Sequence, residues 1–163
     1  SRFGVRIKDC SPYWEPIGEF LRQRAAQSFA TEGAASGAGK WAPLSPAWAA
    51  RKARIAPGAP ILVLSGRLRS SWIVEDDPGH FERHTRTKFS FTSRVPYADF
   101  HQFGTTWMPA RPVLVLTETD RMAILQEARS FIDRINPFIL ETFLRRGRPV
   151  TVARGPLGEF TRR

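Results

Sequence analysis

Trp14, Ile17, Leu21, Ala25 and Phe29 recur at steps of three and four residues, the spacing that lines apolar side chains along one face of an α-helix. Glu15, Glu19, Arg22, Arg24 and Gln27 fall mostly on the other faces and Ser11-Pro12 opens the run, so the pattern predicts a helix over about 13–31. One apolar stripe is not a core, and the chain must supply a second layer to cover it. A later stripe can do so: Ile124, Leu125, Ala128, Phe131, Ile132 and Ile135 follow Thr117 and Thr119, either of which can cap a helix. Asn136-Pro137 should kink or restart that helix before Ile139, Leu140, Phe143 and Leu144.

Short elements fill the space between the stripes. Phe3, Val5 and Ile7 alternate with Gly4, Arg6 and Lys8 as in a half-buried strand. Ser45-Pro46 is a capped start for a short basic helix over 46–54, closed by Pro57-Gly58. Leu64, Leu68 and Trp72 are four apart, which predicts another short helix. Strands are expected at 72–75 and 85–92, joined through Asp76-Asp77-Pro78-Gly79, with Phe89 and Phe91 on one face. Tyr97, Phe100 and Phe103 suggest a turn of helix ended by Gly104, and Val113–Leu116 suggests a buried strand. Such an order gives an α+β fold: a small antiparallel sheet packed with an N-terminal and a C-terminal helix, an extended loop and a tail. The expected organisation is one domain over 1–146, with the small-residue tract 33–40 as a mobile loop, and a basic tail over 147–163.

Charge narrows the partners. The chain carries 25 Lys and Arg against 15 Asp and Glu, a formal +10, and its lysines are only Lys8, Lys40, Lys52 and Lys88. An arginine excess favours acidic partners but serves carboxylates as readily as phosphates, so DNA and an acidic protein surface both stay open. Five tryptophans argue against a disordered basic protein. The longest apolar run, Pro60–Leu64, is far shorter than a membrane span, and Ser1-Arg2 begins no charged-then-apolar leader, which reads as a signal peptide absent or removed. The lone Cys10 excludes an intrachain disulfide and suits a reducing compartment.

Catalytic constellations are sparse. His80 and His84 are four apart beside Pro78-Gly79, and they read as exposed turn residues rather than metal ligands; Asp76-Asp77 reads as turn chemistry. Cys10 has no histidine nearby in sequence, and Gly33, Gly37 and Gly39 before Lys40 fail the phosphate-loop order because Trp41 follows. His101 reads as a packed or partner-contacting histidine. No catalytic residue, metal ligand or cofactor site is expected.

The order of four motifs carries more than any one of them. Trp41-Ala-Pro-Leu-Ser45, Ile61-Leu-Val-Leu-Ser-Gly-Arg-Leu-Arg-Ser-Ser-Trp72, Val95-Pro-Tyr-Ala-Asp-Phe-His-Gln-Phe-Gly104 and Pro109-Ala-Arg-Pro-Val-Leu-Val-Leu116 follow one another. Over about 41–135 the sequence resembles the phage virion morphogenesis family, which includes the G protein of Mu-like phages and the tail-completion proteins of P2-like phages. The resemblance implies a non-enzymatic subunit of the head-to-tail junction, assembled in the host cytoplasm as a ring that joins the tail to the DNA-filled head. It also implies partners: identical subunits, six by preference or twelve, then neighbouring neck, tail-terminator or tail-tube proteins, with packaged DNA as a further contact and no membrane. The alternative is a basic nucleic-acid-binding protein, its phosphate contacts supplied by the arginine-rich end.

Within these motifs Gly66, Leu68 and Trp72, with the aromatic ridge Tyr97, Phe100 and Phe103, are expected in the core. Gly66 is expected to permit a tight approach of chain segments. The expected subunit or partner contacts are Trp107, Met108, Arg111, Lys40, Trp41, Arg145, Arg146, Arg148 and Arg154. Trp107-Met108-Pro109 sits on an irregular stretch, an unusual place for large apolar groups unless another surface covers them.

Overall fold

The computed structural model describes residues 10–135. Helix α1 spans Ser11–Ala30, α2 Pro46–Ile55, α3 Arg67–Ile73, α4 Ala98–Phe103 and α5 Glu118–Ile135; strands β1, His80–His84, and β2, Phe89–Ser93, pair antiparallel with His80 opposite Ser93 and His84 opposite Phe89. The fold is thus a small α+β arrangement of five helices and one hairpin among the described residues. The expected strand at 3–7, the restart after Asn136-Pro137 and the basic tail lie outside them.

Helix α1 is the backbone of the core. Its stripe forms one wall of two apolar clusters. Ala25 and Phe29 meet Trp41, Leu68, Trp72, Val95, Ala98 and Val113, while Tyr13, Trp14, Ile17 and Leu21 meet Phe131, with Phe91 and Leu114 packed against both. Helix α5 runs antiparallel to α1. Arg24 pairs with Asp120 at 3.0 Å, the Tyr13 hydroxyl donates to the Ile124 carbonyl at 2.8 Å, and the Tyr13 and Phe131 rings lie 5.7 Å apart. The hairpin covers the remaining side, where the Trp14 indole stacks on Phe89 and donates its N–H to the Thr85 carbonyl at 2.9 Å.

A buried polar cluster fixes the hairpin against α1 and α3. Arg22, 6% exposed, bonds Glu82 at 2.6 Å and reaches Glu19 at 3.3 Å and Glu75 at 3.5 Å. His80 is also buried, with Nδ1 3.0 Å from the Ser71 carbonyl and Nε2 3.3 Å from Glu82. It is therefore not the exposed turn residue that Pro78-Gly79 suggested. The Ser71 and Ser93 hydroxyls close the cluster at 2.7 Å.

Two strand expectations are corrected. Residues 72 and 73 complete α3, and the first strand begins only after Asp77, whose carboxylate accepts from the Gly79 N–H at 2.7 Å. The hairpin turn is Thr85–Lys88, organised by the Thr85 hydroxyl accepting from Lys88 N–H at 3.0 Å. Val113–Leu116 is no strand, because a side chain replaces the neighbouring strand. The Gln102 carboxamide accepts from Val113 N–H at 2.9 Å and donates to the Leu114 carbonyl at 2.7 Å.

The tract 33–40, read as mobile for want of apolar side chains, is bonded into turns at its start. Gly33 N–H donates to Ser28 O and Ser36 N–H to Gly33 O, both at 2.8 Å, and Trp41 N–H returns to Glu32 O at 2.7 Å.

Candidate assembly surface

Helix α4 is only six residues long, and its orientation decides the character of this surface. Ala98 is its buried residue and Gln102 its bonded one, so the side holding 98 and 102 faces inward. Tyr97, Phe100 and Phe103 therefore face out, with Phe100 55% and Phe103 78% exposed. The expectation that these three belong to the core is corrected: spacing by threes places them together but does not say which side of the helix meets the protein.

After Phe103 the chain makes a narrow loop. Gly104 has φ +77°, and a Cβ there would lie 2.8 Å from Ala110 N, so only glycine lets the two sides approach this closely. Thr105 and Met108 pair by backbone hydrogen bonds, and Arg111 N–H donates to the His101 carbonyl at 2.7 Å. Trp107 stands on this braced loop with 94% of its surface exposed. Single exposed apolar residues are ordinary, but three aromatic rings beside a tryptophan form a contiguous apolar surface. Met108, on the same loop, is half-buried.

Arg111 and Trp41, expected at a subunit contact, are instead buried braces, 4% and 3% exposed. The Arg111 guanidinium donates to the Ala42 carbonyl at 2.7 Å and the Pro43 carbonyl at 2.9 Å, and the Trp41 indole donates to the Pro112 carbonyl at 2.8 Å. Burial pushes the Arg111 pKa below its ordinary value. His101, edge-on to Tyr97, is likewise lowered, first by burial and then by the Arg111 charge, which favours the neutral imidazole. Lys40 is exposed beside this clamp. Arg145, Arg146, Arg148 and Arg154 lie outside the described residues.

Helix α2 extends the surface. Ser45 caps it by accepting from Trp48 N–H, yet Lys52 is its only buried residue, held to the Pro60 carbonyl. Trp48 and Ile55 are exposed on one side, with Arg51 5.4 Å over the Trp48 ring. Ten residues make a marginal helix without packing, so α2 gains from any surface that covers that side.

The Leu64-Ser-Gly-Arg-Leu68 motif works inward. Gly66 adopts φ +83° at the start of α3, a conformation other residues resist, and nothing lies within 4 Å of where its Cβ would stand. The glycine thus serves backbone conformation, not the tight approach anticipated. Leu68 and Trp72 are buried as expected.

The order of these motifs now has a structural meaning: one holds α3 in the core, one presents α4, and two form the clamp between them. A model of the phage virion morphogenesis family matches residues 2–133. The chain belongs to the phage virion morphogenesis family. It is a phage virion assembly protein, and the match covers every described element except the last two residues of α5. No curated protein and no solved structure matches the chain. Among the described residues no group of three or more His, Cys, Asp or Glu is arranged to hold a metal ion, and no helix is long and apolar enough to cross a membrane.

Several determinants of this virion protein were not singled out from sequence. Gln102 and Glu32 are the clearest. Glu32 accepts from Ile61 N–H through its carboxylate at 2.8 Å and from Trp41 N–H through its carbonyl, at a strained φ of +49°. Gln102 carried a signal, being a polar residue on the side of α4 opposite its aromatics; Glu32 carried none.

Proposed function

We propose that this protein is a non-enzymatic subunit of the head-to-tail junction of a tailed phage, forming a ring that joins the tail to the DNA-filled head. The observation that carries the proposal is the exposed surface of Tyr97, Phe100, Phe103 and Trp107, held on a loop that the Arg111 and Gln102 bonds fix in place. A rigid apolar surface costs little ordering entropy on association, which suits a permanent contact between subunits. Six copies, or twelve, fit a tail axis, with neck, tail-terminator or tail-tube proteins above and below the ring. Arg145, Arg146, Arg148 and Arg154 would then join copies or meet an acidic neighbour, since arginine and carboxylate pair with defined geometry.

Native mass spectrometry of the purified full chain tests the ring, and Phe103→Ser with Trp107→Ser tests the surface. A closed oligomer that the double substitution dissociates into folded monomers is the expected result. A monomer at every concentration, with DNA binding that weakens steeply as salt rises, would instead favour the nucleic-acid reading.

A further inference from the structure

A ring needs a second, different patch on each copy to receive the first, because head-to-tail contacts are heterologous. The described residues contain a fitting one. A groove of about 490 Å³ runs between the first turns of α1 and the second half of α5, lined by Pro12, Glu15, Pro16, Glu127, Phe131 and Arg134. Its volume falls in the roughly 300–1,000 Å³ range of pockets that enclose a small aromatic molecule.

The chemistry of the groove is that of an indole turned inside out. Pro12, Pro16 and Phe131 supply apolar walls, while Glu15 and Glu127 supply carboxylates. Proline adds a backbone acceptor: Pro16 has no N–H, so the Pro12 carbonyl lacks the donor that would normally stand four residues on. Acceptors beside apolar walls complement a side chain that is apolar except for one N–H donor. The loop bearing Trp107, Thr105–Ala110, carries no charged residue and brings no acid to repel those carboxylates.

The two patches also lie at opposite ends of the molecule. Phe29, near the C-terminal end of α1, meets the Trp41 ring at 5.5 Å, and Trp41 bonds the Pro112 carbonyl just after the Trp107 loop. The groove is at the N-terminal end of the same helix. Some fifteen residues of helix separate the ends, about 22 Å at the usual rise. A knob at one end and a hole at the other is the arrangement that propagates from copy to copy.

We propose that Trp107 of each copy inserts into the Pro12–Pro16–Phe131 groove of the next copy, its indole N–H directed at the acceptors there. This contact rests on the ring reading and names the two patches that close it. The test uses full-length chains in a Cys10→Ser background. One carries Thr106→Cys, which keeps the indole, and the other carries Glu127→Cys and a size tag. Co-expression followed by mild oxidation should give a disulfide between the two chain types, and neither chain should cross-link to itself. Trp107→Ala should weaken the subunit contact by about 30-fold or more, as an anchor residue does, and Trp107→Phe should recover part of it while leaving the N–H contribution lost.

Native mass spectrometry of the same samples separates the two readings. An intact ring without the mixed disulfide, or one in which Thr106→Cys links to its own kind, overturns the groove contact and leaves the ring standing. That result would apply equally if another segment of the chain or another protein fills the groove. A monomer in every sample overturns the ring, and the groove contact with it.

Discussion

Replacing Arg111 by methionine keeps most of the volume of the side chain and removes its fork of donors. The Ala42 and Pro43 carbonyls then lose bonds of 2.7 and 2.9 Å in a site where the guanidinium is 4% exposed. Each charge-assisted bond is worth about 1.5–3 kcal/mol. The gain is partly offset by the cost of burying the cation, the effect that lowers the Arg111 pKa. A net loss of about 2–4 kcal/mol is expected, or about 4–16 °C in Tm for a chain of this size. Thermal unfolding followed by circular dichroism measures the shift. Amide exchange then locates it: Trp41 to Ala49 should exchange faster, because α2 buries only Lys52 and is steered by the clamp at its start. A Tm within about 1 °C of the parent would show that Arg111 does not hold this segment.

Phe103→Ser and Phe100→Ser should leave the monomer as stable as the parent to within about 0.5 kcal/mol, since both rings face outward, whereas Leu68→Ala should cost about 2–5 kcal/mol through lost burial and a residual cavity; chemical denaturation of all three decides the orientation of α4. Burial alone would raise the Asp120 carboxyl, but the Thr117 N–H and hydroxyl, and then Arg24, hold it below its ordinary 3.8. Its contribution is therefore complete above that value and lost as pH falls through the lower folded pKa, so Asp120→Asn should flatten the acid limb of the stability profile. His101 has the same sign in a higher window: below 6.5 the unfolded chain takes the proton first, stability falls with acid, and His101→Gln should remove that slope. Amide exchange should find Gly33, Ser36 and Trp41 protected and Lys40 open, as their hydrogen bonds and exposure dictate.

What the sequence made legible follows from local physics. The α1 stripe, the Ser45 cap and Leu68 with Trp72 are all fixed by spacing and short-range hydrogen bonding, and each lies where the pattern puts it. The errors share one cause. The direction in which α4 faces depends on Gln102 reaching Leu114, and the roles of Trp41 and Arg111 depend on contacts across some 70 residues. Such pairings leave no periodic trace in a single chain. The aromatic spacing at 97, 100 and 103 was read correctly as a shared ridge, and only the tertiary contacts reveal that the ridge is offered to another surface.

The central claim is that this virion protein forms the ring at the head-to-tail junction through the surface carrying Trp107. Electron cryomicroscopy of the neck of intact phage particles tests it most directly. The account predicts a closed ring of identical copies at the junction, with Tyr97, Phe100, Phe103 and Trp107 buried between protein surfaces. Density that places the chain elsewhere in the particle, or a ring in which Trp107 remains in solvent, would contradict it.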